Sequence, residues 1–358
     1  MPITATYTLD RVYATTAEAI RPEVARELAR CNALTAHMYR QKAVKYQGGS
    51  EYRIPVSLLD NTGVVSIAPY GTFTATPQDN PLNARYTFLG DGTTLVAPWT
   101  LAKTEMAQNA DSAYKVVDLT KSTMVQAADS LGAELSRQLF TLQAGQTLRG
   151  LPNFIEASAP AAQTLSPGGI AKATYARWRN WFRQIATWSV DGEAQVRGAI
   201  LDCSMGGSIP DIILSGQEAY LLMEASLLPN QRDFDKGLAN LGYKAVEFYG
   251  TPWAPDTQLA GADEIYVLTT TGKREIGEFS LKPEFFAVPG KNPIAKDVTG
   301  IVGFHLVILP DHDFILEGPH DVGFQQRAFV WDLAWAGYLA TGSIRRQALV
   351  NWTGGTVV

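Results

Sequence analysis

The sequence predicts an α+β protein, built from one unusually long helix, an extended run of short strands and a compact α/β unit. The helix is predicted over 112–142, because apolar residues recur there in steps of three, four and seven and form one stripe along a 3.6-residue helix. Short β-type runs separated by turn signals precede it over 52–101. A buried strand that runs into a helix follows at 210–228, which is typical of an α/β unit.

Length and composition indicate a folded protein with a large core. The chain has 358 residues, of which 46% are hydrophobic and 18% charged, and its net charge is −5. No apolar run approaches the roughly 18 residues of a membrane helix, and the first residues lack the basic and then apolar plan of a signal peptide. Cys31 and Cys203 show no disulfide or zinc-site spacing. We therefore expect a cytoplasmic origin, with no membrane segment and no metal or disulfide framework.

The charge is unevenly distributed along the chain. Residues 1–45 contain seven basic and four acidic residues, a net +3, so the remaining 313 residues carry −8. The acidic total argues against a dedicated nucleic-acid-binding protein, and a solvated helix surface accounts for a small basic excess. A basic arm that faces a polyanion is the alternative. Its basic residues would be Arg11, Arg21, Arg26, Arg30, Arg40, Lys42 and Lys45.

Before the long helix, the pattern changes from helical to strand-like. Pro22 suits the first position of a helix whose apolar residues continue to Leu34. Large aliphatic residues are scarce in the β-type runs that follow, so the hairpin they predict needs another surface to lie on. These runs are at 53–56, 64–67, 71–76 and 85–89.

The long helix has suitable residues at both predicted ends. Asp111 or Ser112 can cap its N-terminus, and Gly145 follows its last apolar residue. A helix of this length would extend over about 45 Å. An ordinary bundle helix is the alternative, but no second helix of similar length is predicted to pair with it. The core positions predicted for its stripe are Val117, Met124, Leu131, Leu135 and Leu139.

Beyond the long helix, the pattern predicts further helices and then the α/β unit. Apolar residues at helical spacing predict helices over 175–188 and 193–203. A strand at 210–214 leads into Ser215-Gly216-Gln217-Glu218, a capping box for a helix over 219–228. Further strands are predicted at 246–249, 264–268, 303–309, 314–316 and 328–338.

No catalytic or phosphate-binding motif of the GxSxG, GxxxxGK[ST] or HExxH type occurs in the sequence. Asp311, His312, Asp313, His320 and Asp321 could bind a divalent metal. Their flanking proline and glycine residues also predict two polar turns, which is the interpretation we favour. We therefore predict a protein without enzymatic activity and without catalytic, metal-binding or cofactor-binding residues.

Two further groups of residues have a chemical and a structural interpretation. The aromatic residues from Trp178 to Phe182, with Arg179 and Arg183, could stack on nucleic-acid bases. Their helical spacing favours core packing instead. Cys31 and Cys203 lie on apolar helix faces, where a buried and unreactive thiol is more common than a nucleophile.

The order of these parts resembles the major capsid proteins of tailed bacteriophages, which have the Hong Kong 97-like fold that encapsulin shells also use. The likeness to a phage capsid subfamily is more specific in three stretches, which together cover about residues 100–350. The first is Gly150-Leu151-Pro152-Asn153 with Gly168-Gly169-Ile170, Tyr175 and Trp178-Arg179-Asn180, and the second is Ile209 to Ser215 before a capped helix. The third is Phe248-Tyr249-Gly250-Thr251-Pro252 with Asp256, then Gly337-Tyr338-Leu339 and Arg345-Arg346-Gln347.

This resemblance implies a division of the chain and a structural function. The implied parts are an N-terminal arm (1–45), an extended β-hairpin loop (46–100), a peripheral domain with a long spine helix (101–150), an α/β axial domain (151–284) and a return to the peripheral domain, mostly strands (285–358). Such subunits assemble as pentamers and hexamers into an icosahedral shell around double-stranded DNA. The location implied is the virion capsid, assembled in the host bacterial cytoplasm. The basic arm would face the DNA without sequence specificity.

Two departures from features of some family members lead to further expectations. Some shells are linked covalently by a lysine of the extended loop, but no lysine occurs between Lys45 and Lys103, so we expect no such network. Too few residues precede the hairpin for a scaffold segment, so we expect a separate scaffold protein or none, beside a portal and possible decoration proteins. The alternatives are an encapsulin-type shell around protein cargo and, in a different class, an α/β metal-dependent hydrolase using Asp311, His312 and His320.

Overall fold

The computed structural model of this chain describes residues 33–56, 58, 66, 82–103, 113–204, 209–227, 233–234, 246–259, 263–270, 303–321 and 328–352. Its helices are α1 (Ala33–Arg40), α2 (Ala113–Leu139), α3 (Glu193–Cys203) and α4 (Gln217–Ser226). Its strands are β1 (Val44–Tyr46), β2 (Tyr52–Val56), β3 (Leu82–Tyr86), β4 (Gly92–Ala102), β5 (Trp181–Ile185), β6 (Ile212–Ser215), β7 (Asp233–Phe234), β8 (Val246–Phe248), β9 (Thr251–Pro255), β10 (Glu264–Leu268), β11 (His305–Ile308), β12 (Ile315–Asp321), β13 (Ala328–Ala340) and β14 (Ala348–Trp352). The predicted α+β class is confirmed.

A five-stranded sheet is built around the long strand β13. One edge of β13 pairs antiparallel with β4, and the pairing covers the whole length of β4. The other edge pairs antiparallel with β12 and then with β11, and β1 adds to β11 in parallel. β4 lies mostly within the range predicted for the extended loop, 46–100, but it belongs to this sheet. Its partner strand lies more than two hundred residues later in the chain, so the local pattern did not reveal the pairing.

The long helix α2 lies on this sheet, mainly against β4 and to a lesser extent against β13. It begins one residue after the predicted start at 112 and ends at Leu139, three residues before the predicted end at 142. At 1.5 Å per residue it is about 40 Å long. Met124, Leu131, Leu135 and Leu139 are at most 3% exposed and belong to the main core. Val117 lies within 113–121, the part of the helix whose side chains the structure does not describe. The predicted N-cap residues, Asp111 and Ser112, lie outside the described residues.

A seven-stranded mixed sheet forms the second layer, in the order β5-β14-β10-β6-β9-β8-β7. Helices α3 and α4 cover one face and enclose a separate apolar cluster that includes Val196, Tyr220 and Trp253. β14 lies between β5 and β10, although 285–358 was predicted to return to the other domain. The C-terminal part of the chain therefore contributes strands to both sheets.

The hairpin of β2 and β3 is a separate two-stranded antiparallel sheet. Its inward side chains alternate with exposed ones, and Tyr52, Ile54 and Tyr86 join the main core. The predicted runs at 64–67 and 71–76 lie almost entirely outside the described residues. The strand predicted over 85–89 ends at Tyr86, and Phe88–Asp91 forms one helical turn that the Thr87 hydroxyl caps.

Two local predictions are wrong. The helix predicted over 175–188 is a short 3-10 turn, Ala176–Trp178, followed by β5, which pairs in parallel with β14. The capping box does not form, because Ser215 is the last residue of β6 and its hydroxyl accepts from the indole N–H of Trp253 at 2.7 Å. Among the described residues, no helix is long and apolar enough to cross a membrane.

Candidate functional site

The polar cluster considered as a metal site is divided between two places. Asp311 and His312 are exposed in the turn between β11 and β12, and His312 Nδ1 lies 2.9 Å from the carbonyl oxygen of Pro310. Asp313 accepts hydrogen bonds from the hydroxyls of Tyr39 and Tyr46, at 2.8 and 2.5 Å. Its carboxylate therefore joins the turn to α1 and β1, which is a structural use of the group.

His320 lies elsewhere, beside Glu317 and Asp332. The ligand atoms of these three residues lie within 4.8 Å of one another, the one such group found in the described part of the chain. The set does not include Asp311 or His312, so the structure does not assemble the hydrolase site considered for this sequence. The carboxylates of Glu317 and Asp332 face each other across β12 and β13, and burial together with that proximity raises the pKa of Asp332.

Cys203 and Trp178, which also had a chemical interpretation, are buried in the core. Cys203 is buried on α3, and burial raises the pKa of its thiol well above the usual range, so a reactive thiolate is disfavoured. Trp178 is fully buried, and its indole N–H donates to the carbonyl of Pro167 at 3.0 Å. It is therefore unavailable for stacking on a nucleic-acid base. Cys31 lies outside the described residues.

The basic residues of the first segment are described only at its end. Arg11, Arg21, Arg26 and Arg30 lie outside the described residues, whereas Arg40, Lys42 and Lys45 are exposed around the connection of α1 and β1. The Lys45 ammonium donates to the hydroxyl of Tyr52 at 3.0 Å and lies 4.6 Å from the centre of its ring. This lysine is therefore tied to the base of the hairpin.

The stretch 150–180, which carries part of the sequence resemblance, forms a junction between α2, the hairpin and β5. Gly150 lies so close to the end of α2 that a Cβ there would be 2.4 Å from a backbone carbonyl oxygen of the helix. Gly168 has a φ of +62° and packs against side chains of β3. Both positions require glycine, and close packing explains why this motif has its particular residues.

Three polar side chains meet inside this junction. The Nζ of Lys172, whose side chain is 0% exposed, donates to Oδ1 of Asn180 at 2.7 Å and lies 3.3 Å from Oε1 of Glu156. The backbone N–H of Glu156 donates to the same Asn180 oxygen at 2.9 Å. Burial lowers the pKa of Lys172 to about 8, although the neighbouring Glu156 carboxylate opposes that shift.

An exposed apolar patch lies on the second layer. Leu201 on α3 is 65% exposed, and Tyr249 and Ile209 are 52% and 44% exposed. Arg197, one turn before Leu201, donates to the Tyr249 hydroxyl at 3.1 Å, and Ile209 approaches the backbone of Gly250. We call Arg197, Leu201, Ile209 and Tyr249 the α3 patch. Arg197 and Leu201 share one face of α3, so the exposed Leu201 lies on the side of the helix that meets Tyr249, and exposed apolar side chains of this kind are common at protein contact surfaces.

Sequence reasoning missed both the α3 patch and the Lys172 junction. The buried residues of α3 are Val196, Ala199, Ile200 and Cys203, and Leu201 falls outside that stripe. A leucine on a polar helix face was therefore a usable signal. The Lys172 junction joins residues from separate turns, and no local spacing predicts it.

Comparisons with known proteins identify the fold. No protein-family model matches the sequence, and no curated protein matches it. Among solved structures, the cyanophage A-1(L) capsid is similar with a TM-score of 0.58 and 17% identity, over 87% of this chain and 90% of that chain. The capsid of a native GTA particle has a TM-score of 0.53 and 11% identity, over 89% and 90% of the two chains. A structure from Mycobacterium phage Bobi has a TM-score of 0.50 and 11% identity, over 88% and 90%. The predicted Hong Kong 97-like capsid fold is thereby confirmed.

Proposed function

We propose that this chain is the major capsid protein of a tailed bacteriophage, a structural subunit that assembles into pentamers and hexamers of an icosahedral shell. The observation that carries the proposal is the shared fold, which extends over 87% of this chain and 90% of a cyanophage capsid subunit. Agreement over nearly the whole length of both chains is expected when two subunits are used in the same way, although a fold alone does not fix a function.

The parts of the subunit have distinct proposed functions. The layer of α2 and the five-stranded sheet corresponds to the peripheral domain, with α2 as its spine. The layer of the seven-stranded sheet corresponds to the axial domain, and the β2–β3 hairpin is the base of the extended loop. Of the predicted loop 46–100, we assign 46–91, up to the start of β4, to that loop, and we assign residues 1–45 to the N-terminal arm.

We assign the α3 patch to contacts between subunits in a capsomer. Its apolar residues lie on the layer that we identify as the axial domain, where neighbouring copies would meet around a symmetry axis. Burying them between copies would remove exposed apolar area from water, at about 25 cal/mol per Å². The Arg197–Tyr249 pair at its edge supplies a polar rim.

Packaged double-stranded DNA is the proposed content of the shell. An acidic subunit, with a net charge of −5, limits strong salt bridges to phosphate and so allows release of the DNA. The basic residues of 1–45 are the proposed inner-surface contact, without sequence readout. Scaffold, portal and decoration proteins are further proposed partners, and the subunit is proposed to function in the virion without catalytic activity.

Electron microscopy of the purified, full-length chain tests this function. We expect closed shells, capsomers or tubes when the concentration is raised under assembly conditions. A dispersed monomer under the same conditions would contradict the proposal. The variant Leu201→Lys places a charge in the α3 patch and should reduce assembled material at least about tenfold, since a disrupted contact of about 1.4 kcal/mol changes an equilibrium by that factor.

The matched control is Leu221→Lys on α4, where another leucine is 52% exposed outside the α3 patch. We expect this variant to assemble as the wild type does. Circular dichroism of both variants shows whether the subunit is folded. Equal assembly by folded Leu201→Lys would exclude the α3 patch from the contacts between subunits, while shells from the wild type would still support the function.

A further inference from the structure

A buried lysine beside an asparagine amide is the unusual chemical feature of the 150–180 junction. The side chain of Lys172 is 0% exposed, and that of Glu156 is 14% exposed. Burying an ammonium is costly unless it is paired, and here the pairing is partial, with one carboxylate oxygen at 3.3 Å and one amide oxygen at 2.7 Å. Its pKa, lowered by burial to about 8, leaves a larger neutral fraction near neutral pH than an exposed lysine has.

Hydrogen bonds hold the amide of Asn180 in one orientation, with its carbon close to the Lys172 nitrogen that would attack it. Its Oδ1 receives two donors, the Lys172 ammonium and the backbone N–H of Glu156 at 2.9 Å. Its Nδ2 donates to the carbonyls of Glu156 and Trp181, both at 3.0 Å, which fixes the orientation of the amide plane. When the neutral Lys172 amine adds to the carbon, the backbone N–H of Glu156 remains on Oδ1 and stabilises the negative charge that develops there.

Glu156 supplies a fixed base at the same place. Its carboxylate accepts hydrogen bonds from the backbone N–H groups of Thr164 and Leu165, at 2.9 to 3.1 Å. These bonds hold one oxygen 3.3 Å from the Lys172 nitrogen. A carboxylate in that position can take a proton from an attacking amine and return it to a leaving group.

We propose that Lys172 and Asn180 form an isopeptide bond within one subunit, with Glu156 as the base. The neutral Nζ of Lys172 attacks Cγ of Asn180, and a new N–C bond forms. Glu156 takes a proton from Nζ and passes it to Nδ2 of Asn180 as the bond from Cγ to Nδ2 breaks. Ammonia leaves, so the protein loses one ammonia molecule, and no oxidant, reductant or other reactant is needed.

This bond differs from a link between subunits, because both partners lie in one short stretch of the same chain. It would tie Asn180, the residue before β5, to the loop that carries Lys172 and enclose the buried Trp178 in a closed ring of residues. The inference does not depend on the proposed assembly function. The bond would form in a folded monomer and in an assembled shell alike.

Mass spectrometry of the full-length purified protein tests the bond directly. Trypsin cleaves after Arg177 and Arg179, so Lys172 and Asn180 are released on separate peptides unless they are linked. We expect a branched peptide that contains both residues and an intact mass lower than the sequence mass by one ammonia. Separate linear peptides with the full sequence mass would overturn the proposal. Loss of ammonia without a branched peptide, as in a cyclised asparagine, would overturn it equally.

Three variants assign the roles of the residues. Lys172→Gln keeps a donor beside Asn180 but has no nucleophile, so the branched peptide should be absent. Glu156→Gln keeps the size of the side chain without the base, and we expect linkage to be slower by about 100-fold or more. Lys42→Arg, on an exposed lysine, is the matched control and should be linked as in the wild type. Wild-type linkage in Glu156→Gln would remove Glu156 from the reaction.

Discussion

The ring of His305 on β11 meets the ring of Tyr52 on β2 edge to face, with centroids 5.7 Å apart and an interplanar angle of 89°. The Nε2 of His305 lies 3.3 Å from the Tyr52 hydroxyl, and its Nδ1 lies 3.0 Å from the carbonyl oxygen of Gly303. The Lys45 ammonium donates to the same hydroxyl at 3.0 Å. A chain of polar contacts therefore joins the base of the hairpin to the five-stranded sheet, and burial favours the neutral form of the imidazole within it.

Acid should weaken this connection. Burial, together with the nearby Lys45, lowers the pKa of His305 to about 4, whereas the unfolded chain binds the proton near pH 6.5. The contribution of the neutral ring is complete above about pH 6.5 and is lost as the pH falls towards 4, by up to about 3 kcal/mol. Urea unfolding of wild type and His305→Asn between pH 7 and 4 measures this difference. His312→Asn, at an exposed turn, is the control, and a constant difference between wild type and His305→Asn would contradict the prediction.

The long helix and most strands could be predicted because their patterns are local. The stripe of α2 and the nearly continuous aromatic and aliphatic run of β13 each lie within one segment, so the local pattern alone identifies them. The segment 175–188 shows the limit of such reasoning. Trp181, Phe182 and Ile185 fit helical spacing, but β5 takes its backbone partners from β14, more than 160 residues later in the chain. A distant strand partner overrides local preference and leaves no local signal.

The candidate functional surfaces were less predictable than the fold. The four described residues of the α2 stripe are buried, which a local pattern can indicate. The interaction surface instead depends on how separate segments meet. The α3 patch joins a helix to the turn after β8, and the Lys172 junction joins residues from three turns. Proximity of this kind follows from the tertiary fold, so a single sequence reveals only the leucine that is out of place on α3.

Charge in the stripe of α2 should abolish the folded subunit. Leu135 is 1% exposed and lies in the main core with Leu131. Leu135→Asp or Leu131→Asp would bury an unpaired carboxylate, with a cost that we expect to exceed about 4 kcal/mol. Soluble yield and thermal unfolding measure the loss. Ala133→Asp, on the exposed side of the same helix, should remain soluble, and normal particles from either leucine variant would contradict the assignment of the core.

Gly150 should tolerate no side chain. A Cβ at this position would lie 2.4 and 2.8 Å from the carbonyl oxygens of Gln138 and Leu139 in the last turn of α2, and 2.6 Å from that of Thr141 just beyond it. The first two cannot move without shifting the helix. We expect Gly150→Ala to lower the free energy of unfolding by about 1–3 kcal/mol, as other overpacking changes do. Gly48→Ala is the control, because its nearest neighbour would be a side-chain carbon at an ordinary 3.6 Å. Equal stability of the two variants in chemical denaturation would contradict this account.

Purified particles should show no covalent multimers. Because no lysine occurs between Lys45 and Lys103, the proposed extended loop has no amine for a bond to a neighbouring subunit. Denaturing gel electrophoresis should show one band at the mass of a single chain. The proposed bond between Lys172 and Asn180 lies within a subunit and leaves that result unchanged. A ladder of multimers would show that another amine links the shell.

Asp256 should oppose His305 in the response to pH. Its side chain is buried just after β9, with one oxygen accepting from the backbone of Gln258, and burial raises its pKa to about 6. The unfolded chain releases this proton near pH 4, so the stabilising contribution of the protonated form is present below about pH 4 and is lost as the pH rises through 6. Asp256→Asn keeps an acceptor without a charge and should raise the free energy of unfolding at pH 7 by up to about 3 kcal/mol. The contributions of the two residues to the free energy of unfolding change in opposite directions between pH 4 and 6, so the stability of the wild type should change little there. Asp256→Asn should become more stable as the pH rises, and His305→Asn should become less stable. Urea titrations at several pH values measure the three slopes, and parallel curves would show that neither group titrates in the folded chain as its burial implies.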